Sequence, residues 1–267
     1  MSGHDSLIAT LGGIVALVFS ACGSSAGEGA VEAVDASDSA QVELPPTDAD
    51  PCEPPFLIGL MLHYDFDENL DDSSEQERHA TATGAVSYLQ GVRGNAISFD
   101  GGSAITIDDG LALGPTSAEE RTVSFWLDTG DAGGGMVISQ YRNFQPAESS
   151  FFVAYNRADG MFTVAGAGTD VVAFAVGTDL RGWHHWAVVF SAAVHSTVIY
   201  LDGLEKARGT LSINATPSPF DVVVGQLPGA QGQYLTGRLD DLIVVDHAMQ
   251  PDEVASIASG CSILAPP

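Results

Sequence analysis

Residues 182–203 read GWHHWAVVFSAAVHSTVIYLDG, two apolar runs joined by a short turn and closed by Asp-Gly. In an extended chain consecutive side chains point to opposite faces. His184, Trp186, Val188 and Phe190 therefore share one face, and Trp183, His185, Ala187 and Val189 share the other. Both faces are largely apolar, which describes a central strand covered on both sides. The two adjacent histidines point apart and cannot chelate one ion. Their ring nitrogens are expected to bond backbone or nearby polar groups, and no Ser or Cys nucleophile motif stands within local reach.

The same alternation recurs outward from this hairpin. LMLHYDF (60–66) places Leu60, Leu62, Tyr64 and Phe66 on one face and Met61, His63 and Asp65 on the other. AISFDGG, AITI, RTVSFWLD, GMVISQY, SSFFVAYNR, GMFTVAG, VVAFAV, FDVVVGQ and GRLDDLIVVDHAM follow the same pattern between Gly, Asp and Asn clusters. About a dozen strands, short turns and no blade-length repeat predict an all-β, two-sheet antiparallel jelly-roll sandwich. The 267 residues, 45% of them apolar, suffice for one sizeable core with appendages.

Charge narrows the partners. Thirty-five acidic residues face nine basic ones, and the nine are scattered: Arg78, Arg93, Arg121, Arg142, Arg157, Arg181, Lys206, Arg208 and Arg238. A nucleic acid needs its cations gathered in one patch, so nucleic-acid binding is not expected. The acidity fits a soluble extracytoplasmic surface that could hold divalent cations.

The amino terminus reads differently. Leu7 to Phe19 is an apolar stretch shorter than a membrane span, and Ser20 and Ala21 precede Cys22. This resembles a bacterial lipoprotein signal peptide, whose cleavage leaves a lipidated cysteine; the resemblance implies residues 1–21 as signal and Cys22 as lipidation site. The expected location is the bacterial cell envelope, lipid-anchored, with plain secretion as the alternative. Residues 22–55 form an acidic linker: after Cys22 it has eight acidic residues, no basic ones and no aromatics, and it is expected to be disordered. The folded domain then spans 56–267. With Cys22 assigned to lipid, Cys52 and Cys261 remain at the two ends of that domain, either free or as a disulfide clamping its termini; an exported protein favours the bridge.

Taken together, the hairpin and its neighbours resemble the laminin-G-like, concanavalin A-like jelly-roll superfamily. WHHWAVV followed by YLDG resembles its signature strand pair, LMLHYDFDENLDDSS its opening strand and turn, and GVRGNAISFDGG its glycine-bounded hairpin. TVSFWL resembles its next strand, and GRLDDLIVVDHAMQPDEVASI its closing strand with one short helix behind it. The resemblance covers about residues 58–260 and specifies fold more than ligand, since lectin-like modules, adhesion modules, glycosidases and lyases share it.

An enzyme of this fold would need paired carboxylates on one strand face. The glutamates of the folded region instead fall in predicted turns, strand boundaries or the helix start. His63, Asp65 and Asp67 are the best acid-base cluster, at a strand end that suits ion binding or turn capping. A lyase grouping is suggested only by QYRNFQ. The leading expectation is a surface-anchored, non-catalytic module binding a glycan or a cell-surface protein through its loop rim. A glycan-active enzyme or a purely structural surface domain is the alternative. Candidate ligand-binding residues are Tyr141, Arg142, Asn143, Phe144, Tyr155, Gln226, Gln233 and Tyr234, because aromatic and amide groups suit sugar rings and their hydroxyls. The resemblance further implies a structural Ca²⁺ held by Asp241 of the closing strand, with Asp65 and the carbonyls of Gly101 and Gly102 beside it.

Overall fold

The strand read at 183–190 forms as β11 (His184–Ser191) and pairs antiparallel with β12 (Ser196–Leu201), Trp186 opposite Leu201 and Phe190 opposite Thr197. In the computed structural model residues 58–260 are described, except 108–111, 132, 143–144, 179 and 231–232. The signal segment, the acidic linker, Cys22, Cys52 and Cys261 therefore lie outside the described residues.

Two antiparallel sheets stack face to face. The first holds β13 (Leu204–Gly209), β12, β11, β6 (Arg121–Asp128), β15 (Thr236–Val245), β4 (Asn95–Asp100) and β3 (Ser87–Gln90) in that order, with β1 (Leu60–Tyr64) also on β15. The second runs β10 (Val171–Ala175), β9 (Met161–Ala165), β8 (Phe152–Asn156), β7 (Gly135–Ser139), β14 (Val222–Val224), β5 (Ala104–Ile107) and β2 (Ala80–Thr83). Inward-facing residues of both sheets form the main core, with the rings of Phe162 (β9) and Trp186 (β11) stacked across it at 3.8 Å. The two-sheet sandwich is the expected one, and it adds β2, β3 and β13 to the strands read from sequence. Those three are mostly exposed edge strands, so burial imposes little apolar alternation on them.

The outer face of the eight-stranded sheet is closed. Helix α1 (Pro251–Ala258) covers it, and Val254, Ile257 and Met249 pack on Ala187, Val189, Tyr200 and Ile243. This is why β11 is apolar on both faces. Gln250 N donates to Glu253 Oε2 at 2.6 Å, fixing the first turn of the helix.

Strand β15 carries the main irregularity. Thr236–Leu239 pairs with β4, Leu242–Val245 pairs with β1, and β6 runs along the other edge. The pairing with β6 shifts between Asp240 and Ile243, and Asp241 has a φ of 46°. Leu239 and Leu242 both enter the main core, while Asp240 and Asp241 between them both turn away from it.

Candidate functional site

The outer face of the seven-stranded sheet has no α-helix packed on it among the described residues, although Ser139, Ala165 and Val223 on it are buried. Strand pairing sets Thr81, Thr106, Val223, Ser139, Phe152, Ala165 and Val171 in one row across it. Ile105, Ile107, Val222 and Val224, at alternate positions, lie in the core. At one end of this face a cleft of about 200 Å³ forms between β5, β14 and the segment after β7, with Tyr141, Arg142, Phe220, Asp221 and Gln226 on its walls.

Tyr141, Arg142, Phe220 and Gln226 are each held by a neighbour. The Tyr141 ring meets Phe152 edge-on at 5.2 Å, and burial pushes its phenol above the usual tyrosine value. The Arg142 guanidinium lies 4.7 Å over the Phe220 ring, and its backbone N–H donates to Ser149 Oγ at 2.9 Å. Gln226 Nε2 donates to the Tyr234 hydroxyl at 2.9 Å, while the Gln226 carbonyl accepts from Ser139 Oγ at 2.8 Å. The site thus offers aromatic faces, a cation, an amide and one carboxylate within one concavity.

The structure divides the sequence-derived binding set. Tyr141, Arg142 and Gln226 line the cleft, Tyr234 joins it through Gln226, and Gln233 is exposed beside Tyr234. Asn143 and Phe144 lie outside the described residues. Tyr155 is not at the rim: it is 1% exposed in the inter-sheet core, with its hydroxyl donating to the Gly177 carbonyl at 3.2 Å. Its parity in β8, shared with Val153, points it inward. Phe220, Asp221 and the outward pair Thr106 and Val223 were missed. Alternation in AITI and VVV could have found the last two, whereas FDVVVGQ gives Phe220 the inward parity of Val222 and Val224, and the strand begins only at Val222, leaving Phe220 in an irregular segment.

The residues expected around calcium are separated. β1 does pair with β15, which brings Asp65 to the Asp241 end as expected. Gly101, however, donates its N–H to Leu235 O, six residues before Asp241, or about 20 Å along an extended strand. Gly102 follows Gly101 at that far end. The Asp241 carboxylate accepts from Arg93 Nη1 at 2.6 Å and contacts His63 Nε2 at 3.3 Å. The His63, Asp65, Asp67 face is also undone, because β1 ends at Tyr64 and Phe66 turns with a φ of 56°. Asp65 instead accepts from Asp67 N at 3.0 Å and Ser73 Oγ at 3.1 Å, and Asp67 accepts from Asn95 N at 2.5 Å, which is turn capping.

A second polar group lies buried on the closed face. His185 Nε2 is 2.8 Å from Ser124 Oγ, and its Nδ1 is buried without a partner. Burial lowers the His185 pKa to about 4. His184, by contrast, reaches Asp202 Oδ2 at 2.8 Å and Arg181 O at 3.1 Å, so the pair binds separate partners as expected. Asp240 Oδ2 accepts from Val92 N at 2.7 Å and Arg93 N at 3.1 Å; burial nevertheless raises its pKa to about 6, with Asp241 adding repulsion. Ser124 and His185 resemble a nucleophile and its base in composition only, since they are 1% and 0% exposed.

The two-sheet sandwich agrees with sequence comparison. A family model described as the concanavalin A-like lectin/glucanases superfamily, of laminin-G type, matches residues 99–255. The chain belongs to this superfamily. No curated protein sequence matches it. Among solved structures, the superfamily fold is shared with domain 4 of AbnA, a GH43 extracellular arabinanase from Geobacillus stearothermophilus in complex with arabinotriose. That pair has 21% identity and a TM-score of 0.60, with 75% of this chain and 98% of that one covered. The binding domain of Paraclostridial Mosquitocidal Protein 1 shares 12% identity at a TM-score of 0.60, covering 76% of this chain and 52% of that one. The botulinum neurotoxin serotype G binding domain shares 14% at 0.59, covering 75% and 50%. The chain thus spans about half the length of the toxin domains. At these identities the likeness establishes the jelly-roll fold alone.

Proposed function

We propose that this superfamily member is a non-catalytic recognition module that binds a glycan at the cleft formed by Tyr141, Arg142, Phe220 and Gln226. The observation that carries the reading is the convergence of those four side chains in one concavity at the end of the seven-stranded sheet's outer face. A sugar ring places its C–H face on an aromatic surface and its hydroxyls on amide and guanidinium donors, and both kinds of group are present. The described lining carries one carboxylate, Asp221, where glycoside hydrolysis uses two on either side of the scissile bond. The arabinotriose complex of the arabinanase domain supports a glycan as ligand class. In the same proposal the module stands outside the cell, tethered from a lipidated Cys22 by residues 23–55.

A glycan array with the full chain, followed by titration of positives against Phe220→Ala and Arg142→Ala, tests this. Binding that weakens by about tenfold in both variants, without release of reducing sugar, is the expected result. Release of reducing ends by the wild type would replace the module with an enzyme.

A further inference from the structure

A larger concavity, about 470 Å³, opens at the end of the sandwich beside the turn between β11 and β12. It lies apart from the cleft, and no residue lines both. We propose that it is a second ligand site, which takes one neutral sugar residue end-on between the two sheets.

Strand parity explains why the space exists. Arg121, Phe190, Thr197 and Gly209 form the last inward-facing row at this end of the eight-stranded sheet. Two positions farther along β12, the inward residue Ile199 is sealed in the core. In the end row the inward position 197 carries a hydroxyl where 199 carries an aliphatic side chain, while Leu211 and Ile213 complete an apolar floor with Phe190. A core that merely ended here would be closed by larger apolar residues.

The polar groups point to the ligand class. Thr197 is 2% exposed and lines the cavity, into which its side chain can present a hydroxyl. Such a hydroxyl can both donate to and accept from a ligand hydroxyl. His195, held at the turn with a φ of 48°, presents an exposed imidazole to the same space, without a described partner. Half of the lining residues are Ser or Thr; Thr116, Ser191 and Ser212 donate to carboxylates and Ser196 accepts from Arg208, which leaves the hydroxyls of Ser117, Thr197 and Thr210 to donate and accept. No Lys or Arg lines the cavity, which disfavours an anion, and its one acid, Glu119, is engaged by Arg121 Nη2 at 3.2 Å and by Thr116 Oγ1 at 3.3 Å. An apolar floor under hydroxyls that both donate and accept matches a neutral polyhydroxylated ring, and the volume falls in the range of small-ligand sites, about 300–1,000 Å³.

The test is amide chemical-shift mapping on the full chain with a panel of neutral monosaccharides, comparing wild type, Thr197→Val, the rim variant Thr210→Tyr and the cleft variant Arg142→Ala. Expected are shifts confined to residues 190–197 and 210–213 for at least one sugar. They should weaken by about tenfold in Thr197→Val, disappear in Thr210→Tyr and persist in Arg142→Ala. Thr210 is exposed, so its variant keeps the test available if Thr197→Val fails to fold. Shifts found only around Tyr141 and Arg142, or none with any sugar, would overturn the second site and leave the cleft proposal to its own titration.

Discussion

The two sheets are built by the same alternation and treat their outer faces in opposite ways. On the eight-stranded sheet the outward side chains are covered by α1 and by the turn between β3 and β4, whose backbone N–H groups are held by Asp240. On the seven-stranded sheet the outward row mixes Thr, Ser and Ala with Val223, Phe152 and Val171, has no α-helix over it among the described residues, and ends in the cleft. Burial on the first face creates stability and forces polar groups into defined pairs. Exposure on the second leaves side chains free to meet a ligand. Under the proposed function the first face serves structure and the second recognition.

The comparison breaks most directly at the centre of each face. Ile243, fully buried under α1, should cost about 3 kcal/mol when changed to Ala, whereas Thr163→Ala on the open sheet should stay within about 0.5 kcal/mol, both read from urea unfolding midpoints. Equal costs would mean that the open face is covered after all.

A smaller effect sharpens the contrast through pH. His185 has its pKa lowered to about 4, so its contribution is complete above the unfolded value of 6.5 and is lost as pH falls toward 4. Asp240 has its pKa raised from 3.8 to about 6, so its contribution is complete below 3.8 and is lost as pH rises through 6. Between pH 4 and 6 the two slopes, about 1.4 kcal/mol per pH unit each, oppose one another. His185→Gln should therefore make stability fall relative to wild type as pH rises across this window. Asp240→Asn should make it rise. Two variants that both track the wild-type profile would show that neither group titrates as placed.

The smallest expected effect is at the covering helix: Glu253→Ala removes the acceptor for Gln250 N and should lower stability by about 0.5–1 kcal/mol. Faster hydrogen exchange at Ile243 and Val245, with the β7–β8 amides unchanged, would localise that loss to the closed face.

Much of this was legible in residues 182–203, because a strand apolar on both sides requires a cover on both sides and the cover exists. The inner and outer positions of β6, β9 and β11 follow from period two without any structure. Three kinds of feature escaped that reading. The edge strands β2, β3 and β13 bury too little to show a pattern. Tyr155 was placed at the rim by residue type, although its parity with Val153 already pointed inward. The residues expected around calcium are dispersed for a longer-range reason: which part of β15 each neighbour pairs with fixes where Gly101 and Asp241 stand, and local sequence does not encode that register.

The bulge at Asp241 also decides how the chain tolerates changes in length. Leu239 and Leu242 enter the core across an interval of three, so the two halves of β15 keep different beats, and one surplus residue reconciles them. Each half is thereby tuned to its own partner, β4 or β1, without constraining the other. Loss of a single aspartate here would set the two leucines two positions apart, returning the strand to one beat with both still facing the core. The surplus residue therefore holds two neighbouring carboxylates on one face, and a deletion there would remove that pairing while leaving the alternation of the core in step.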